Sequence, residues 1–204
     1  WEAGGSGSSN TDGSINTTAT SANTTAGFSI STYTGNGTRG ATFGHGLGVA
    51  PKMVIVKERS PAGNNWKVGH IDAGFTKFLA LDTTGAAITD SAHWNDTAPS
   101  STVVTLGNDG GINQNTATYV AYCFAEVEGF SKFGSYVGNG SSTSAPFIFT
   151  GFRPALVVTK NISNSGDAWP VADSARAPFN VSNATVFWNQ NTAETTGYSI
   201  DFLS

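Results

Sequence analysis

Charge is scarce in this sequence. Lys, Arg, Asp and Glu make up 12% of the 204 residues, and 10 basic side chains against 14 acidic ones leave a net charge of −4. Electrostatic binding of nucleic acid or of an anionic membrane surface needs a basic stripe, and none is present. Cysteine is almost missing: the single Cys123 excludes an internal disulfide and a cysteine-based zinc site. No apolar run approaches the roughly 18–20 residues of a membrane-spanning helix. Helix formers are thin, with one Met and few Leu or Glu, and no amphipathic helix of several turns emerges. The opening Trp1-Glu2-Ala3-Gly4-Gly5 lacks the Met, basic head and apolar middle of a signal peptide. The expectation is therefore a processed chain or a piece of something longer.

What is abundant points to strands. Gly, Ser, Thr and Asn fill about 90 positions, while 38% of residues are hydrophobic and 11% aromatic. Small polar turn formers mixed with β-branched and aromatic residues make an all-β composition with enough apolar mass for a core.

The chain also repeats itself. Residues 27–37 (Gly-Phe-Ser-Ile-Ser-Thr-Tyr-Thr-Gly-Asn-Gly) return as residues 129–140 (Gly-Phe-Ser-Lys-Phe-Gly-Ser-Tyr-Val-Gly-Asn-Gly). Pro51, Val54, Lys57, Trp66 and Val68 recur 103 positions later as Pro154, Val157, Lys160, Trp169 and Val171. Each copy is expected to open with a strand, Phe28–Thr34 or Phe130–Val137. A Gly-Asn-Gly hairpin turn that needs positive φ follows. A second strand is expected at Ala41–Gly44 or Phe147–Thr150. A Pro-led apolar strand comes next, Lys52–Lys57 or Ala155–Lys160, and then Trp66–Val68 or Trp169–Val171. Phe78–Leu81, Thr102–Leu106 and Tyr119–Glu126 complete the first copy. This cadence predicts tandem antiparallel β-sandwich modules: a first at 26–128 and a second, incomplete, at 129–204. Tyr119–Tyr136 is a candidate for one continuous extended stretch through the boundary. Residues 1–25 are expected to be the tail of a preceding module and a flexible Gly/Ser/Thr-rich linker. The chain looks cut from a tandem array, or completed by a strand from a neighbour.

Three stretches carry a family resemblance: Gly27–Thr38, Gly44–Lys57 and Tyr119–Tyr136. They resemble a module of large virion proteins of marine and other aquatic bacteriophages, of the tail-fibre or appendage kind. The resemblance covers roughly residues 26–204, and 1–25 resembles the linkers of such proteins. It implies a structural or host-contacting role on the virion. It supplies no catalytic residues.

The recurring positions are Gly, Phe, Tyr, Pro, Val, Lys and Trp, which build turns and cores. No His, Asp, Glu or nucleophile arrangement is common to both copies, and His70 aligns with Asp173. The three histidines, His45, His70 and His93, are expected to be exposed or capped. His70-Ile71-Asp72 would put a His and a carboxylate on one strand face, yet no positioned Ser accompanies them. Glu126 and Glu128 would share a face, as glycosidase carboxylates do, but read more simply as a charged strand edge. Asn108-Asp109-Gly110 and Asp12-Gly13 have a calcium-loop composition that metal-free turns share. Eight Asn-x-Ser/Thr sequons occur, a mild excess that matters only before a glycosylating system. The sharpest binding candidates are Trp66 and Trp169, with Trp94 and Trp188 as further platforms for stacking on sugar rings. The shared phase of Trp66 with Val68, and of Trp169 with Val171, favours core for that pair.

The expected function is a non-enzymatic virion structural protein without cofactor or metal: a fibre, tail appendage or capsid-surface decoration. Its expected partners are copies of itself in a homo-oligomer, other virion proteins and host surface polysaccharide. A carbohydrate-binding adhesin is the alternative, and a piece of a polysaccharide depolymerase is the third reading.

Overall fold

The structure, a computed structural model, describes residues 1–141 and 144–203. Ser142, Thr143 and Ser204, within the second predicted module, lie outside the described residues. Strand accounts for 30% of the chain and helix for 4%, so the protein is all-β with several antiparallel sheets. The strands are β1 (Ala19–Asn23), β2 (Phe28–Thr34), β3 (Thr42–Gly44), β4 (Met53–Ser60), β5 (Lys67–His70), β6 (Lys77–Ala80) and β7 (Ile88–Thr89). They continue as β8 (Val103–Thr105), β9 (Thr118–Phe124), β10 (Leu156–Val158), β11 (Pro170–Asp173) and β12 (Thr185–Phe187). Two single-turn helices, α1 (Ser91–Trp94) and α2 (Gly110–Asn113), interrupt the first half.

Seven strands form one sheet in the order β1-β2-β9-β4-β5-β6-β7. β9 is the late arrival: it threads between β2 and β4 and pairs with both along its whole length. Its alternation explains the fit, because side chains i and i+2 share a face. Tyr119, Ala121 and Cys123 point into one core with Val54, Val56 and Tyr33. Tyr122 and Phe124 point to the other, with Met53 and Ile55. The first core is closed by β3 and β8, which pair with each other. Phe43 of β3 stacks 4.8 Å from Tyr33, which stacks 5.1 Å from Tyr119. Both tyrosines bury their rings and keep their hydroxyls bonded. Tyr33 Oη donates to the Ile112 carbonyl (2.7 Å), and Tyr119 Oη donates to the Gly110 carbonyl (2.6 Å) while accepting from the Gln114 N–H (2.8 Å). A buried phenol left unbonded would cost about 1–3 kcal/mol; here both fasten α2 to the sheet.

Several expectations change. The Gly-Asn-Gly turn after β2 does supply a positive φ (+68° at both Gly37 and Gly140). It closes no hairpin, however, since β3 pairs with β8 and not with β2. Residues 1–25 are not a free linker. β1 pairs with β2 through all five of its residues, Ile15 is buried, and its N–H donates to the Thr42 carbonyl (2.8 Å). A Ser/Thr-rich strand can pack because its hydroxyls satisfy one another: Thr20 Oγ1 lies 2.9 Å from both Thr17 Oγ1 and Ser31 Oγ. A Cβ on Gly13 would sit 2.4 Å from the Thr42 oxygen, so only glycine allows that approach. The extended run through Tyr119–Tyr136 is also absent: the chain turns after β9, with Ser131 N–H donating to the Val127 carbonyl (2.8 Å).

The second half forms a three-stranded sheet, β10-β11-β12. Its pairs Leu156–Asp173, Val157–Ala172 and Val158–Val171 each lie 103 positions beyond Met53–His70, Val54–Gly69 and Ile55–Val68 of β4–β5. The expected strands Phe130–Val137 and Phe147–Thr150 do not form. Their counterparts β2 and β3 are held by β9 and β8, and among the described residues no strand stands in the same place beside 130–137 or 147–150. A strand without a partner leaves its backbone to water.

Burial pushes the Cys123 thiol up to about 12. The native protein is expected to be inert to thiol reagents at pH 8 and to react fully in denaturant, as a labelling time course would measure.

Candidate ligand-binding cleft

The outer face of the seven-stranded sheet carries the second core: Ile55, Val68 and Leu79, covered by Trp169 of the second half. Trp169 is buried, and its Nε1–H donates to the Ala80 carbonyl (3.2 Å) at the end of β6. Its backbone is tied to the next segment. Trp169 N–H donates to Asn189 Oδ1 (2.9 Å), and Trp188 N–H donates to the Trp169 carbonyl (3.1 Å). This indole, together with backbone bonds from Ala87 N–H to the Ile162 carbonyl (3.0 Å) and from Gly166 N–H to the Thr84 carbonyl (2.9 Å), docks the second half onto the larger sheet.

Beside this joint lies a cleft of about 440 Å³ lined by Ile55, Trp66, Leu81, Asp82, Tyr122, Phe124 and Trp188. Ile55, Tyr122 and Phe124 come from the outward-facing positions of the two central strands. Trp66 is partly buried and stacks on Tyr122 with ring centres 6.2 Å apart and planes 21° from parallel. Trp188 belongs to the second half and is 43% exposed. Asp82 is exposed and is the cleft's single charged lining residue. Concave, mostly apolar, with one carboxylate acceptor, the cleft has the size and lining of a small-ligand site. Aromatic faces carry negative potential and attract the polarised C–H groups of a sugar face; the carboxylate accepts from hydroxyls.

Two of the four tryptophans singled out by sequence, Trp66 and Trp188, therefore meet in one cleft. The other two are corrected. Trp94 ends α1 fully buried, edge-on to Phe75 at 5.9 Å, and offers no platform. Trp169 is the docking residue just described and is covered. Tyr122, Phe124 and Asp82 escaped the sequence reading. Tyr122 and Phe124 are visible only as the outward phase of a strand, and nothing short of the fold says that this phase is partly uncovered.

A second hollow of about 300 Å³ lies under the N-terminal segment, lined by Gly4, Ser6, Ser8, Ser9, Asn10, Thr20, Ser21, Ala22 and Gly46. It holds hydroxyls and backbone but no ionisable side chain.

Of the three histidines, expected to be exposed or capped, two are buried and His70 is half-buried. His45 is fully buried; its Nδ1 accepts from the Leu47 N–H (3.2 Å) and its Nε2–H faces the Ser100 carbonyl (3.2 Å). Both contacts suit the neutral ring, and burial holds its pKa below the ordinary value. His93 is buried flat against Phe78, with ring centres 3.6 Å apart. Its Nδ1 lies 3.3 Å from Asp90 and its Nε2 3.4 Å from Asp109. Those carboxylates cap the N-termini of α1 and α2. Burial lowers the His93 pKa, against the pull of Asp109 and Asp90 and with help from Lys67. His70 and Asp72 do not share a strand face, because β5 ends at His70 and the Asp72 N–H donates to His70 Nδ1 (3.2 Å) in the turn. Asp109, read as a calcium-loop residue, is a helix cap instead. Glu126 is taken up by Lys132 (2.8 Å), which holds its carboxyl below the usual range. Among the described residues no group of three or more His, Cys, Asp and Glu could hold a metal ion.

An all-β protein with an aromatic cleft at the seam of two sheets is thus defined. Comparison with known sequences places it further: the chain belongs to the family described as a domain of unknown function (DUF7483), whose family model matches residues 1–204. No curated protein and no solved structure matches it.

Trp169→Ala is expected to cost about 3–5 kcal/mol of stability, as large core truncations do, and Trp188→Ala less than about 1 kcal/mol. Urea unfolding of the two variants measures the contrast. Because His45 and His93 bind protons more weakly folded than unfolded, the unfolded state takes up protons first on acidification. Their contribution is whole above the unfolded value near 6.5 and is lost as pH falls toward the lowered folded values. The urea midpoint is expected to drop between about pH 7.5 and 5.

Proposed function

We propose that this chain is a non-enzymatic structural module of a bacteriophage virion appendage, and that its cleft holds a neutral saccharide of the host surface. The observation that carries the binding half is that Trp66 and Trp188 line one cleft together with Tyr122 and Phe124. With no Lys or Arg in the lining and one carboxylate present, an acidic sugar is disfavoured and a neutral one accepted. A single carboxylate is also short of the pair that glycoside hydrolysis uses, which supports holding rather than cleaving.

The virion half rests on the sequence resemblance and on duplication. The shared register of β4–β5 and β10–β11 supports two tandem copies of one β-module. So does a matching contact: Lys57 Nζ donates to the Asn64 carbonyl and Lys160 Nζ to the Asp167 carbonyl, positions 103 apart. Even a side-chain pair recurs with its roles exchanged. Asn64 Nδ2 donates to Glu58 (2.8 Å), whereas Asn161 Nδ2 donates to Asp167 (2.7 Å). Duplication without shared acid–base machinery suits construction and multivalent attachment. Under this reading the first copy is sandwich-like, with β3 and β8 as its small second layer.

Titration calorimetry against neutral and acidic oligosaccharides tests the reading. Binding is expected for neutral sugars, with a loss of about tenfold or more in Trp66→Ala and Trp188→Ala. A panel in which no neutral sugar binds, or in which Trp188→Ala binds as well as the parent, removes the cleft from the proposal.

A further inference from the structure

The cleft is assembled from three pieces of chain. Ile55, Trp66, Tyr122 and Phe124 stand on or beside the central strands of the large sheet, Leu81 and Asp82 on the loop between β6 and β7, and Trp188 on the second half. The loop between β6 and β7 is gripped by the second half at several points. The Ala80 carbonyl, just before Leu81, accepts the indole N–H of Trp169. The Thr84 carbonyl, two residues after Asp82, accepts from the Gly166 N–H and from Lys160 Nζ (3.3 Å). Beyond it, Ala86 N–H donates to Ser165 Oγ (3.2 Å) and Ala87 N–H to the Ile162 carbonyl. The cleft's carboxylate therefore sits between two points at which the second half holds its loop.

Lys160 has a distinct part in this grip. Its repeat counterpart Lys57 donates to the Asn64 carbonyl, and Lys160 repeats that bond with the Asp167 carbonyl (2.7 Å). It then adds the bond to Thr84, so one partly buried ammonium ties segment 160–167 to the loop that carries Asp82. Hydrogen bonds from a charged donor are the stronger kind. The sequence reading took Lys160 for a strand-end lysine, and only the docked second half gives it a second acceptor.

We propose that Lys160 is a positioning residue for the cleft: by latching Thr84 to segment 160–167 it fixes Leu81 and Asp82 relative to Trp188, and a ligand that touches both pieces tightens the latch in return. The inference rests on the saccharide reading above. A ligand in contact with Asp82 and Trp188 meets its full set of partners only when the loop is latched. Its binding favours that arrangement, and the arrangement raises its affinity by the same factor.

The test uses the 204-residue chain, with maltotetraose, cellotetraose and N-acetylchitotetraose as neutral probes. In the free chain, Lys160→Met is expected to speed amide exchange at Ala86 and Ala87 by about tenfold, with Thr118–Phe124 unchanged. Ser165→Ala, which removes an exposed hydroxyl from the same grip, is expected to do so to a smaller extent and serves should Lys160→Met fail to fold. A probe that binds is expected to slow exchange at Ala86 and Ala87 in the parent. Its affinity should fall about threefold or more in Lys160→Met and stay near the parent value in Lys160→Arg, which keeps a charged donor. Unchanged exchange in both loosening variants overturns the proposal. So does a probe that binds Lys160→Met as tightly as the parent, or one that binds without protecting Ala86 and Ala87; in those cases the saccharide reading stands. If no probe binds the parent, the saccharide reading fails and this inference falls with it.

Discussion

The fold depends on β9. A strand that comes after every other strand of its sheet is inserted inside the sheet, third of seven, and it alone joins β2 to β4. Both faces of the sheet are organised by its alternation. Tyr119, Ala121 and Cys123 complete the inner core, and Tyr122 and Phe124 make the floor of the outer one. The phenol of Tyr119 reaches past the sheet to fasten α2, and its ring covers Tyr33, which in turn carries Phe43 of the facing layer. Such long-range pairing closes large loops, whose entropy must be offset by the contacts that β9 makes on both sides.

A sheet apolar on both faces needs two covers. The inner cover is local: β3, β8 and the two single-turn helices. The outer cover is the second half, docked by Trp169. That second cover is smaller than the face it meets, so part of the outer face stays open, and the open part is the cleft. Its two indoles come from different halves of the chain, one held by stacking on Tyr122 and the other by a backbone bond to the docking residue. The cleft wall and the packing of the two halves therefore share Trp169 as a common support, although Trp169 itself is buried.

Much of the first half was legible in the sequence. The Pro-led apolar run gave β4, the alternation of Tyr119–Phe124 gave β9, and the repeat placed β10 and β11 once β4 and β5 were assigned. The misreadings have physical causes. A Gly-Asn-Gly turn supplies positive φ wherever the chain reverses, and nothing local says whether the next strand joins the same sheet or the facing layer. Ser- and Thr-rich residues 1–25 read as a linker because hydroxyls favour water in isolation; packed together, Thr17, Thr20 and Ser31 bond to one another and the segment becomes a strand. The strands expected at 130–137 and 147–150 have the right residues but not the right neighbours.

Composition and periodicity determined that this protein is built of strands, that its turns demand glycine, and that it is rich in aromatics and poor in charge. These are properties of single segments or of one segment compared with another. Which tryptophan is core and which is surface was decided only by tertiary structure. Four indoles met four fates: Trp94 buried at the end of α1, Trp169 buried between the sheets, Trp66 stacked at a cleft wall and Trp188 left half in water. The same holds for the histidines, whose burial against carbonyls and carboxylates leaves no trace in their sequence neighbours. Burial is set by what another part of the chain brings to a residue, and a strand's own pattern records that it has two faces without recording how much of each will be covered.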